Sequence, residues 1–294
     1  MTSLGPQYSG DGAFKARARL HQSRFRVEQL RPTGYRKYGN RLTTADAIAG
    51  KNFCDWPGML ASVEQGYGRA DTPLWHDMLR SEHIPFNIFV PLRDLPWAPR
   101  LFARWLRLDV AELVKVAIEW APEPKAEYLN DNTSFDAYVE CALADGRRAA
   151  LGIEVKYTEG PYAWGKTERA RMFDESSPYH RIHERAQLYI EGALDALRTR
   201  ELKQIWRNQL LGEALRMKPG AGIEEFVSVL LYPKGNEHYA KAASAHMGLI
   251  VPDRRRTFLP VTFERLIEES RELAGADAVA RDWLDYLEQR YLVR

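Results

Sequence analysis

Apolar and polar positions alternate with a period of two in the middle of the chain, and this is its clearest local signal. Phe135 to Leu143 alternates as a strand, Asp145-Gly146-Arg147 has turn composition, and Ala149 to Thr158 is a second strand rich in β-branched residues. Together they predict a β-hairpin. Around it the spacing is helical. Asp71-Thr72-Pro73 reads as a cap followed by a first-turn proline, predicting a helix from about Pro73 to Glu82. The apolar stretch His83 to Leu92 holds Pro85 and Pro91, which are expected to stop regular helix. From Leu101 to Trp120 the residues Leu101, Trp105, Leu108, Leu113, Val116 and Trp120 recur at helical intervals, predicting a core helix. Further on, Arg181 to Lys218 reads as a long helical region ended by Pro219-Gly220, Phe226 to Tyr232 as a buried strand, and Ala276 to Tyr291 as a terminal helix. Helix, hairpin, helix, strand and helix in that order imply an α/β fold with helices covering a sheet.

Composition narrows the compartment and the chemistry. With 294 residues and 45% hydrophobic positions the chain can build its own core without staples. Cys54 and Cys141 are its two cysteines and no Cys-x-x-Cys spacing occurs, which argues against structural zinc and fits a reducing cytoplasm. Met1 to Gln7 has no charged region leading into an apolar one, and Phe226 to Tyr232 is too short to span a bilayer, so neither export nor insertion is expected.

The net charge of +2 hides an asymmetry: residues 1–50 carry nine Lys/Arg against three Asp/Glu, leaving 33 against 37 for residues 51–294. Between Lys15 and Arg41 these cations are interleaved with Phe25, Tyr35 and Tyr38. That mixture suits a phosphate backbone and stacked bases, and equally suits a solvated surface. Residues 1–50 are therefore read as a basic arm or extension, with Arg24, Arg26, Arg36 and Lys37 as candidate nucleic-acid contacts. Residues 51–294 are read as a single domain with a helical C-terminus.

The candidate chemistry lies on the hairpin. Alternation puts Leu151, Ile153, Val155 and Tyr157 on one face of the second strand, so Glu154 and Lys156 share the other. A two-residue loop would set Asp136 opposite Val155, on the wrong face. A three-residue loop, Asp145-Gly146-Arg147, sets Asp136 opposite Lys156 and Tyr138 opposite Glu154, with Gly146 in the left-handed conformation. Asp136 and Glu154 are then hard oxygen donors for Mg²⁺, with Mn²⁺ as a substitute. Lys156 would orient or deprotonate an attacking water, or offset charge on transition-state oxygens. The competing reading is a cross-strand ion-pair patch of small energetic value.

Phe135-Asp136, the turn and Ile153-Glu154-Val155-Lys156 together resemble the PD-(D/E)XK nuclease superfamily. Ser81 through Asn87-Ile88-Phe89-Val90-Pro91-Leu92, Tyr157-Thr158-Glu159, Trp206 to Leu211 and the strand ending Leu231-Tyr232-Pro233 are similar to an uncharacterised bacterial branch of it, over roughly residues 75–235. The resemblance implies a restriction-endonuclease-like mixed central β-sheet flanked by helices. It also implies a Mg²⁺-dependent site at Asp136, Glu154 and Lys156, and a nucleic-acid substrate, usually DNA. Phe135 stands where the motif has proline, and Glu82 where the branch tends to have glutamine. Members often bring a carboxylate or amide from the first helix to the metal, which makes Glu82 a candidate ligand. Gln209 and Arg207 are candidates for approaching the site and for contacting phosphate.

Two functions follow: a Mg²⁺-dependent nuclease of restriction, defence or repair, which as a homodimer would suit cutting both strands, or a catalytically inactive protein of the same fold that binds nucleic acid or a protein partner. Other chemistries lack their signatures. His180 with His183 and His76 with His83 have no metal-binding carboxylate motif and read as surface or capping residues, Gly66-Tyr67-Gly68 lacks a dinucleotide fingerprint, and no Gly-x4-Gly-Lys-[Ser/Thr] or Gly-x-Ser-x-Gly occurs.

Overall fold

The hairpin forms, and it is the centre of a five-stranded sheet. The structure, a computed structural model, describes residues 3–293. Strands β1 (Val110–Trp120), β2 (Phe135–Leu143), β3 (Arg148–Val155), β4 (Glu225–Tyr232) and β5 (Phe258–Thr262) lie side by side in chain order. The pairs β1/β2 and β2/β3 are antiparallel, while β3/β4 and β4/β5 are parallel. The longer helices are α1 (Ala13–Gln29), α2 (Met59–Tyr67), α3 (Ile84–Asp94), α4 (Ala98–Leu106), α5 (Pro178–Ala186), α6 (Lys203–Met217), α7 (Glu237–Leu249), α8 (Phe263–Ala274) and α9 (Ala278–Tyr291).

Alternation on the central strands sorts the side chains into two cores. Ala137, Val139, Leu151, Ile153 and Val155 face helices α1, α3, α4, α8 and α9. Tyr138, Ala150 and Phe226 face α5 and α6, while Leu230 and Tyr232 pack on α7. Gly152 is required on the second face, because a Cβ there would lie 2.3 Å from the Phe135 ring. The sheet is thus mixed and covered by helices on both faces, as the resemblance implied.

Several local expectations are corrected. The helix from Leu101 ends at Leu106, where Arg107 turns left-handed (φ 57°), and the remainder becomes β1. Val110, Val114, Val116 and Ile118 favour a strand, and pairing with β2 settles the choice. The helix from Pro73 stops at His76. The next one, α3, runs through the stretch where its prolines were expected to prevent it: Pro85 sits in the first turn, where a missing N–H costs little, and Pro91 lies within the last. Residues 84–92 are all buried, so packing outweighs the interruption.

Arg181 to Lys218 is not one helix. Gln187 (φ 48°) and Gly192 (φ 75°) break it between α5 and α6, where Tyr189 bridges to Ile250. The basic segment 1–50 does not stand apart as an arm either. Its Ala18, Phe25, Leu42 and Ala47 belong to the first core, and Gln22 of α1 donates to Tyr157 Oη (2.8 Å) and to the Arg290 carbonyl (2.5 Å). Cys54 and Cys141 are both free and buried, and among the described residues no helix is long and apolar enough to cross a membrane.

Candidate active site

Asp136 is the second residue of β2, and Glu154 the penultimate residue of β3. Ala137 pairs with Ile153 and Tyr138 with Gly152, so the register continues to Asp136 beside Glu154. The loop has three residues as expected and Gly146 is left-handed (φ 87°), but it closes one position earlier. The Leu143 N–H donates to the Arg147 carbonyl at 2.8 Å, making the loop Ala144-Asp145-Gly146. This moves the expected pairing by two residues. Asp136 faces Glu154 rather than Lys156, and Tyr138 faces Gly152, but parity and hence the shared face are unchanged.

The two carboxylates are held differently. The Val155 N–H donates to Asp136 Oδ2 at 2.6 Å, fixing the aspartate where the ladder ends. Glu154 is 5% exposed and pairs through Oε1 with Lys156 Nζ at 2.5 Å, the lysine being 3% exposed. From α6, the Asn208 amide donates to Glu154 Oε2. Beyond β3, the Lys156 N–H bonds the Leu231 carbonyl of β4 at 2.8 Å, and the ammonium lies 4.9 Å from the Tyr162 ring centroid.

These side chains open into a cleft of about 530 Å³, lined also by Glu82, Glu119 and Glu159. Its other walls carry Lys15, Arg19, Arg41 and Arg80. Three of these cations already have carboxylate partners: Arg19 bonds Asp11 (2.5 Å), Arg41 bonds Asp77 (2.9 Å) and Arg80 bonds Glu82. Lys15 is exposed at the rim.

Burial, and next the repulsion of Glu154, push the Asp136 carboxyl well above the usual carboxylate range; Lys156 and the Val155 N–H oppose this. Burial alone would lower the Lys156 ammonium, but Glu154, Tyr239, Tyr162 and Asp136 outweigh it and hold the group well above its ordinary value. Glu119, on β1, is raised by burial and by Glu154, against hydrogen bonds from Ser134 and Tyr67.

Among the described residues, no three carboxylate, imidazole or thiol side chains already converge as a metal cage. The donor set nevertheless fits a hard divalent cation, since Mg²⁺ takes one or two carboxylates and keeps several waters. Asp136 and Glu154 are oxygen donors on adjacent strands whose mutual repulsion a cation would offset.

The other candidates divide. Glu82 lines the cleft, paired with Arg80. Gln209 does not reach it: fully buried, it donates to Thr257 Oγ1 at 2.9 Å, and its neighbours Asn208 and Gln204 are the α6 residues at the site. Arg207 is engaged by Asp131 (3.0 Å), Glu168 (2.8 Å) and Thr133 (2.7 Å), away from the cleft lining. Arg26 is wholly buried and donates to the carbonyls of Gly39, Gly34 and Ser3, a structural role that removes it from solvent. Arg36 pairs with Asp71 at 2.5 Å, while Arg24 and Lys37 are exposed outside the cleft lining. Of the histidines expected at the surface or at helix caps, His83 stands at the N-cap of α3 and is buried, and His180 is buried as well.

Glu119, Asn208 and Tyr162 were missed. The β-branched run Val114 to Ile118 was the available signal for the strand that carries Glu119; nothing local marked the other two.

Residues 9–293 match the family model described as the PD-(D/E)XK nuclease superfamily. No curated protein matches the chain, and no solved structure does.

Proposed function

Because the chain belongs to the PD-(D/E)XK nuclease superfamily, we propose that it hydrolyses DNA phosphodiester bonds with Mg²⁺, for which Mn²⁺ would substitute. The observation that carries this reading is that Asp136, Glu154 and Lys156 line one cleft whose lining also carries Lys15, Arg19, Arg41 and Arg80. Asp136 and Glu154 would hold the metal, with Glu82 at the edge of the same cleft as a further oxygen donor. When bound, Mg²⁺ would supply charge neutralisation at the phosphate and a more acidic water.

The remaining work belongs to the chain. The Val155 N–H and the Asn208 amide orient the two carboxylates. Lys156, kept charged by its surroundings, suits stabilising negative charge on the phosphoryl oxygens better than accepting a proton. Lys15, and Arg41 and Arg80 in exchange for their present partners, would neutralise flanking phosphates.

The test is incubation of supercoiled plasmid, single-stranded DNA and RNA with the protein in Mg²⁺ or Mn²⁺, beside Asp136→Ala. Metal-dependent DNA cleavage that disappears in the variant supports the proposal. DNA retention without cleavage by folded wild type would instead support a noncatalytic binder, and preferential RNA cleavage would reassign the substrate.

A further inference from the structure

Beside the catalytic cleft lies a second cavity of about 510 Å³, between α2, α3 and the end of the edge strand β1. Glu119 belongs to the lining of both, so one carboxylate separates them. The floor is apolar: Phe86 and Phe89 are buried, and Val116 and Ile118 are half-buried. At its mouth stands Tyr67, 41% exposed, between Gly66 and Gly68. Its ring meets that of Phe86 edge-on, the centroids 6.0 Å apart, and it borders the same cavity as Glu119, the residue shared with the cleft. Gln65, Arg93 and Glu119 supply an amide, a guanidinium and a carboxylate at the margin.

Aromatic and aliphatic walls with a few polar groups at the edge suit a flat heteroaromatic ring with hydrogen-bonding edges. A volume of this size accepts a nucleotide-sized group. Resting on the nuclease reading above, we propose that this cavity receives one unpaired nucleobase of the substrate strand, stacked on Tyr67, next to the phosphate held in the cleft. A paired base is shielded within its duplex, so the pocket favours single-stranded, frayed or flipped substrates.

The test scans a single-stranded oligonucleotide with one abasic site, and in parallel with one 2-aminopurine, at each position about the cut. One position should lose about tenfold in kcat/KM when abasic and change its 2-aminopurine fluorescence on binding. Tyr67→Ala should abolish both effects, and Tyr67→Phe, which keeps the ring and loses only the hydroxyl, should restore them. A flat scan with active wild type, or Tyr67→Phe behaving as Tyr67→Ala, would overturn the pocket and leave the nuclease reading intact. If wild type cuts nothing, the nuclease reading falls, and a binding-induced fluorescence change at one position, lost in Tyr67→Ala, still decides for the pocket; its absence decides against it.

Discussion

Asp136 Oδ2 accepts the Val155 N–H at 2.6 Å, one residue beyond the glutamate that repels it. The aspartate is therefore pinned beside Glu154 in a place unfavourable to its charge. A group whose folded pKa is raised contributes stability below its unfolded value of about 3.9, and loses it as pH rises through the folded one. At neutral pH the charged form is a cost. Asp136→Asn should leave thermal stability equal or higher while lowering metal-dependent cleavage at least about a hundredfold. Melting curves with and without EDTA check both, and Mg²⁺ should stabilise wild type more than the variant.

Lys156 and Glu154 form a pair in which each partner needs the other. Lys156→Ala leaves Glu154 buried without its cation, at a cost of about 3 kcal/mol. Adding Glu154→Gln to that variant should recover part of the loss, although neither protein should cleave DNA. A double-mutant cycle in urea reads the coupling, and additive effects would refute it.

Gln22 ties the basic N-terminal segment to Tyr157, just beyond β3, and to the terminal helix α9. Gln22→Ala strands the Tyr157 hydroxyl and the Arg290 carbonyl and should cost about 2 kcal/mol. Deleting residues 1–50 should prevent cooperative folding, since α1 completes the first core. A cooperative melt of the truncated chain would restore the picture of a separable arm.

Acid should weaken the fold before its carboxylates titrate. His246 is fully buried between Tyr189 and Phe258, and burial lowers its pKa from 6.5 to about 3. The unfolded chain takes up the proton first, so stability is full above about 6.5 and declines toward pH 3. The slope from this residue is about 1.4 kcal/mol per pH unit. His246→Phe should reduce the fall of the urea midpoint between pH 6.5 and 5 without abolishing it, because the buried His83 is lowered in the same direction, with wild type as reference.

The alternation that places Glu154 and Lys156 on one face is visible in the residues themselves, because period two is a property of any strand. The odd loop at Gly146 followed from the same parity, and the family resemblance located Asp136. Its partner shifted from Lys156 to Glu154 because loop closure at Leu143 and Arg147 is a competition between neighbouring hydrogen bonds. Glu119 was hidden by a helical spacing that β1 happens to satisfy until β2 pairs with it.

Local order along the chain thus determined the hairpin, the shared face of its charges and the layered α/β class, since each depends on residues a few positions apart. Only the tertiary structure decided which cations line the cleft: Arg26 is spent inside the fold, whereas Lys15 is exposed among the cleft's lining residues. It also decided that Asn208 rather than Gln209 meets Glu154. The rotation of a helix against a sheet is set by the packing of its whole buried face, and that information is spread over residues far apart in the chain.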